Sequence, residues 1–486
     1  MPGPALSAAG RPAPLLAGGA AGAVAAFGGL VAWAPEAAPF AVPVLAAAVV
    51  AVVAAPAVRD WEVGGLVAVL ALSFSALGSS DGVSVLQVVF GVALLGYVVA
   101  WYAAALVGGR RVIRGWTDVA AAAFFVLAGA GGLLVALASG TSGVDLRSDL
   151  TCVLALALFF PVREVCVRAG RGPETIAASL LVIGLAATVV SALRVYNALT
   201  GATELYEIVD VRVSMGEVQI IAGLLVGLLA MTVVRGRAAR AGLGLAVAAL
   251  LGGLLLAKSR GPWITAVLGL VVAGALAPPV SRRRLVPYAV GGAAAAVAAG
   301  VAVLGNQLVL VGVGLLRRFL SISSALTQDV SLINRYAETA DAMRAVWQSP
   351  VVGHGWGATV LRFDLTVLVS LRAGFLHNGY VWFLHKVGVV GLACFLGLYL
   401  GALGSGALAA RTAGAPDHHR ALAAAGVGVL VAFAVLALPS NPFAVLDQMI
   451  VVTLVLGLVS GLRQRHRPAA PPAVPATAPP VARPAP

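Results

Sequence analysis

Apolar residues in this chain run in blocks of about twenty, separated by short clusters of glycine, proline and arginine; a block of that length spans a bilayer core about 30 Å thick. The blocks fall at residues 15–33, 41–57, 63–77, 84–106, 119–138, 150–166 and 175–197, then at 217–234, 241–257, 262–278, 286–305, 379–401, 421–438 and 443–461. The pattern predicts an all-α integral membrane protein with about 12–14 transmembrane helices, because the blocks at 41–57 and 63–77 are short enough to form one re-entrant feature. Backbone groups in lipid need internal partners, which only helices or closed barrels supply, and barrel strands would alternate over about ten residues. No such alternation is visible.

Composition and charge sharpen the picture. Hydrophobic residues make up 60% of the chain and charged residues 10%, against roughly 45–50% and 25% in soluble domains, which excludes a soluble globular enzyme. The formal net charge of +13 does not come with the interleaved aromatics of a nucleic-acid surface; it sets membrane orientation instead. With a cytoplasmic N-terminus, the inner connections carry Arg59, Arg110, Arg111, Arg114, Arg168, Arg171, Arg235, Arg237, Arg240, Arg282, Arg283, Arg284, Arg411 and Arg420. The opposite short loops, Pro35 to Pro39, Ser79 to Gly82 and Pro439 to Pro442, hold no Lys or Arg. This asymmetry predicts that both termini are cytoplasmic. Residues 1–14 and the Pro/Ala-rich segment within 463–486 are expected to be disordered tails. The first apolar block has no convincing cleavage site and is followed by many more, so it reads as a span rather than a signal peptide. Cys152, Cys166 and Cys394 are scattered in apolar runs and read as small core residues.

The predicted organisation is therefore helices over residues 15–305, one long extracytoplasmic loop over 306–376, and further helices over 377–462. Loops of this length in a compact protein are usually functional. This one carries Arg317, Arg318, Arg335, Arg344, Arg362 and Arg372, and so many guanidinium groups outside the cytoplasm call for an anionic partner.

Several residues are candidates for chemistry. Lys258-Ser259-Arg260-Gly261 forms a tight turn between two apolar blocks on the outer side. The plain reading is a snorkelling cationic pair; the functional one points Arg260 into the bundle, where it would bind a phosphate bidentately. Residues 334–347 have helical spacing, with Arg335/Glu338 and Asp341/Arg344 as i,i+3 pairs, Met343, Val346 and Trp347 as the apolar face, and Ser349-Pro350 as the stop. Gly353-His354-Gly355-Trp356-Gly357 is a turn whose glycines permit positive φ or a close approach to a ligand. His377-Asn378-Gly379-Tyr380 opens the next helix, and His377 there is poised to exchange a proton. His385 and Lys386 lie two turns deeper, with Glu217 or Asp447 as expected partners. There is no phosphate-binding glycine loop, no HExxH and no outer pair of carboxylates, so a metal-dependent active site is not supported and no cofactor is expected.

Taken together, Ser259-Arg260-Gly261, the Arg335 helix ending before Pro350, the Gly353 to Gly357 turn, and His377-Asn378-Gly379-Tyr380 followed by Gly388 and Gly391 resemble the O-antigen ligase/polymerase superfamily. The resemblance covers about residues 215 to 400. It implies a GT-C-like helical bundle and a metal-independent glycosyltransferase that moves a glycan from a polyprenyl pyrophosphate carrier to an acceptor hydroxyl. The acceptor would be a glycan, a lipid or a wall polymer, and the chemistry would occur at the outer face of a bacterial cell membrane. Arg260 would match the family's membrane-edge arginine, Arg335 its loop arginine and His377 its essential histidine. Lys258, Arg344, Asn378, Tyr380, Gly355 and Trp356 are the expected substrate-binding residues around them. The chain departs from the family pattern at Lys386, where an acidic or amide residue is common.

Two other readings stay open at this stage. A transporter of small anions or lipid-linked glycans would show two halves with corresponding interrupted helices; Lys386 favours it, and the lack of a matching long loop in the first half weighs against it. A structural scaffold would leave the loop arginines self-paired and dispensable.

Overall fold

The apolar blocks fold as helices. The computed structural model describes residues 60–73, 85–201, 216–304, 312–314, 316, 320, 330–364 and 368–467. Its helices are α1 (Trp61–Leu72), α2 (Val85–Val107), α3 (Trp116–Ala138), α4 (Gly143–Leu156), α5 (Phe159–Arg168), α6 (Gly172–Gly201) and α7 (Glu217–Val233). They continue as α8 (Arg237–Leu256), α9 (Arg260–Leu276), α10 (Pro279–Leu304), α11 (Val330–Val346), α12 (Gly379–Arg411), α13 (Asp417–Leu436) and α14 (Leu446–Arg465). The expected spans at 15–33 and 41–57, the tails at 1–14 and beyond Arg467, and Arg59, Arg317 and Arg318 lie outside the described residues. Among the described residues, nine helical segments are long and apolar enough to cross a membrane, α4 and α5 together forming one of them. The shorter α1, α7 and α9 are apolar as well. The protein is an all-α multi-pass membrane protein.

Side-chain burial supports that environment. The core is apolar, yet Val92, Leu95, Val99, Leu134, Leu137, Val267 and Val271 point outward, a surface that water would penalise and lipid accepts. Between helices, small residues bring backbones close in place of a hydrophobic driving force. A Cβ on Gly269 of α9 would lie 2.6 Å from the Gly428 carbonyl of α13, and one on Gly184 of α6 would lie 2.7 Å from the Gln219 carbonyl of α7.

One end of the bundle is tied by buried charge. Arg163, with no exposed side-chain surface, pairs with Asp118 and donates to the Val112 carbonyl at 2.8 Å. Arg114 reaches Glu164 at 2.9 Å, and Arg465 caps the carbonyls of Cys166, Ala169 and Gly170 at the close of α5. The carboxylate and the carbonyl on Arg163 offset the cost of burying its charge.

The opposite end departs from simple helix packing in two places. Helix α12 is broken at Gly388, whose φ of 63° is open to glycine and strained for other residues. A Cβ there would also strike the Val351 carbonyl. The chain after α11 lies in this break: Val389 and Val390 donate to the carbonyls of Pro350 and Val351, while His354 and Gly355 donate to those of His385 and Lys386. The loop also contains a hairpin that the apolar pattern does not announce. Strand β1 (Val360–Asp364) pairs antiparallel with β2 (Val369–Ala373), with Arg362 opposite Leu371. Helix α11 packs against both β1 and α12.

Candidate functional site

The centre of the site is a carboxylate–imidazole pair. Glu338, on the buried face of α11 and 1% exposed, accepts the backbone N–H of His377 at 2.6 Å. The same carboxylate lies 3.0 Å from His377 Nδ1. With Nδ1–H donating to Glu338, His377 Nε2 keeps its lone pair and is the basic nitrogen. Arg362, brought over by β1, pairs with Glu338 Oε2, the oxygen that also faces His377 Nδ1, and compensates the buried negative charge. Glu338 therefore reaches out of its own helix to two segments distant from it in sequence, a use that its i,i+3 spacing to Arg335 does not reveal.

Arg335, one turn earlier on α11, donates to the Pro439 carbonyl at 2.7 Å. Pro439 belongs to the turn that closes α13, and this turn organises the whole end of the bundle. Gly379 donates to the Ala437 carbonyl at 2.8 Å, and Asn441 donates to the Leu376 carbonyl at 2.9 Å, so the His377 segment is held against it from both sides. Asn378 is the N-cap of α12, its side chain accepting from Tyr380 and Val381 N–H at 3.1 Å each. Tyr380 donates its hydroxyl to the Ala434 carbonyl at 2.7 Å. Both residues thus position His377, and capping of this kind is worth about 1 kcal/mol.

Arg260 begins α9 at the same end. Its neighbour Gly261 would carry a Cβ 3.7 Å from Leu436, the last residue of α13. Lys258 just before it is 4% exposed and adopts a φ of 46°, a conformation that costs a non-glycine residue of order 1–3 kcal/mol and that recurs at functional sites.

The other expected substrate-binding residues sit elsewhere. Arg344 is 78% exposed and pairs with Asp341 as the spacing predicts. Trp347 is exposed rather than part of the apolar face of α11, which is formed by Ala342, Met343 and Val346. Trp356 is fully buried: its indole N–H donates to the Ala128 carbonyl at 2.9 Å, within a π-helical turn of α3 over Phe124–Ala130. Such a turn leaves carbonyls without a regular partner, and the indole takes one of them. Gly355 has a φ of 89°, and a Cβ on it would lie 2.5 Å from the Ala136 backbone nitrogen. The Gly353 to Gly357 turn is therefore a plug between α3 and the broken α12.

Lys386 is paired differently from the sequence expectation. Its partner is neither Glu217 nor Asp447 but Asp149 of α4, at 2.6 Å, and it also donates to the Ala358 carbonyl at 2.6 Å. The same Asp149 oxygen accepts the Gly357 N–H at 2.6 Å. Asp447 instead accepts from Gln219 at 2.7 Å.

Residues 245–396 match the family model described as O-Antigen ligase. The match supports the O-antigen ligase/polymerase superfamily. No curated protein sequence matches the chain. The matched O-antigen ligase segment runs from α8 into α12 and includes Arg260, Arg335, Glu338, Arg362 and His377. Pro439 and Asp149, which hold that segment in place, lie outside it. A ligase/polymerase-like enzyme of this family acts on lipid-linked glycans in a membrane, and this chain has the corresponding multi-pass helices.

The electrostatics of His377 predict its pH behaviour. Burial, then the guanidinium groups of Arg335 and Arg362, push its pKa down from 6.5 to about 4, outweighing the opposite pull of the Asp364 carboxylate. A group whose pKa is depressed stays neutral above that value. If His377 is the base, transfer by the reconstituted protein holds its rate as pH falls from 7 to about 5 and drops only towards pH 4. An acid limb centred at pH 6–7 would show that another group limits the reaction.

Proposed function

We infer that the protein transfers a glycan from a polyprenyl pyrophosphate carrier to an acceptor hydroxyl, as a ligase or polymerase of cell-surface polysaccharide in a bacterial cell membrane. The observation that carries this reading is the Glu338–His377 pair, flanked by Arg335 and Arg362 at the loop-covered end of the bundle. The arginine asymmetry puts that end outside the cytoplasm.

In the reaction, His377 Nε2 takes the proton of the acceptor hydroxyl, whose oxygen attacks the anomeric carbon. The bond from that carbon to the diphosphate oxygen breaks, and its electron pair leaves with the diphosphate. The anomeric centre inverts by direct displacement. Glu338 holds the Nδ1–H and steadies the imidazolium that forms. Arg260, with Lys258 beside it, and Arg335 meet the charge growing on the diphosphate, where preorganised donors in a water-poor site act most strongly. A diphosphate is already a good leaving group, so these cations and the imidazole supply what the transfer requires without a metal. The lipid tail lies among the helices, which sets the diphosphate at the membrane boundary.

The transporter reading loses its main support, because Lys386 is committed to Asp149 and a carbonyl rather than open to an anion. Reconstitution with a polyprenyl pyrophosphate-linked oligosaccharide separates the two. Longer or transferred chains by gel and mass spectrometry are expected; donor that only changes sides of the membrane would favour transport.

A further inference from the structure

A second cluster of chemistry lies at the other end of the bundle. α13 ends beside the His377 segment and starts at Asp417. The 18 helical steps from His419 to Ala437 rise about 27 Å, so His418 and His419 sit far from the transfer site. There they meet Glu174, in the first turn of α6, and His466, which follows α14. Glu174 Oε1 is 3.0 Å from His418 Nε2 and 3.0 Å from His419 Nε2. These three ligand atoms all lie within 4.8 Å of one another. On the far side of its ring, His419 Nδ1 is 2.8 Å from His466 Nε2.

We propose that Glu174, His418 and His419 bind a zinc-class divalent cation, which bolts α6 to α13 at the end of the bundle opposite the transfer site. Two ligands about 2.0–2.1 Å from a tetrahedral zinc lie about 3.3 Å apart, so the two 3.0 Å separations from Glu174 need to open by only a few tenths of an ångström, and the two imidazole nitrogens, within 4.8 Å of each other, reach that spacing by turning their rings. The second carboxylate oxygen, Glu174 Oε2, is buried and has no hydrogen-bond partner among the described residues; an ion bound by the carboxylate would give that oxygen a charge to face. His466 fits the role of an orienting partner. With His419 Nδ1–H donating to His466 Nε2, the His419 Nε2 lone pair is directed to the ion, the arrangement that metal-bound imidazoles usually have. The guanidinium groups nearby are already engaged, Arg465 with three carbonyls and Arg420 with Asp417 and the Ala410 carbonyl. Imidazole and carboxylate donors without a thiolate suit zinc, cobalt, nickel or copper(II) rather than magnesium or calcium. The three ligands leave a fourth position for water, and the site is structural because the reacting groups are elsewhere.

The test uses the full chain in detergent, without a polyhistidine tag and stripped with a chelator. Cobalt(II) is expected to give the visible d–d bands of a tetrahedral site, saturating at one ion per chain, and zinc is expected to displace it and to raise the melting temperature. Magnesium is expected to do neither. The His418→Ala/His419→Ala pair should abolish the bands, and His466→Ala should weaken binding about 10- to 100-fold. If the wild-type chain gives no tetrahedral bands, or takes up no more zinc than the double variant, the proposal is overturned. Should the double variant fail to fold, the wild-type titration and its zinc-dependent melting shift decide the matter by themselves.

Discussion

Replacing His377 by alanine is expected to lower glycan transfer by about 10²–10⁴ while leaving the chain inserted and folded. The side chain is 31% exposed and makes its polar contacts with Glu338 through Nδ1, so its loss removes little packing. The backbone N–H of His377 still reaches Glu338 in the variant, and Arg362 still neutralises that carboxylate. Initial rates at saturating donor, set beside the melting temperature in detergent, separate a lost base from a damaged fold. The residual activity should also lose its fall towards pH 4, because the group responsible for it is gone. Arg335→Ala is expected to cost on the order of 10²–10³ in rate without moving the melting temperature as far. Wild-type-like output from both variants would remove the enzymatic role assigned to this end of the bundle.

The largest effect on stability is expected from Lys386→Met. The ammonium group has no exposed surface and is shared between Asp149 and the Ala358 carbonyl. Removing it strands the Asp149 carboxylate with only the Gly357 N–H, and breaking a buried pair from one side costs about 3–5 kcal/mol. Because Asp149, Gly357 and Ala358 tie α4 to the turn that fills the break in α12, the loss should loosen the whole covered end. The apparent melting temperature in detergent is the readout. The double variant Asp149→Leu/Lys386→Met is expected to melt above either single variant, since no charge is then left alone in the core. Single variants that melt with the wild type would show that the pair contributes nothing.

Much of the fold is legible in the sequence because lipid imposes a simple requirement: about twenty apolar residues in a row, with every backbone group paired along the helix. The same logic makes Arg260, Arg335 and His377 conspicuous, as charged or titratable residues at helix mouths and in a long loop. What the sequence hides is pairing across distance. Glu338 reads as a helix-surface partner of Arg335, and only the fold shows that it holds His377 and Arg362. Lys386 finds Asp149 on a helix assigned to the generic first half, where nothing in the local pattern points to it. Gly388 looks like one more small residue in an apolar helix, yet it is a break that receives residues 350–355. Trp356 stands among the expected substrate-binding residues, and only the fold shows its indole N–H bonded to the π-helical turn of α3. The hairpin is hidden too, because Leu361 and Phe363 of β1 face outward while the charged Arg362 and Asp364 take the more buried positions.

The central claim is that Arg260, Arg335 and His377 meet one lipid diphosphate at the loop-covered end of the bundle. Photocrosslinking tests it directly, using a polyprenyl diphosphate with a photoreactive group on the isoprene unit next to the diphosphate and mapping the attachment sites by mass spectrometry. Attachment is expected at the start of α9 around Arg260, on α11 near Arg335, and in the segments around His377 and Pro439. Attachment confined to the opposite end, around Arg163, His419 and Arg465, would contradict the account.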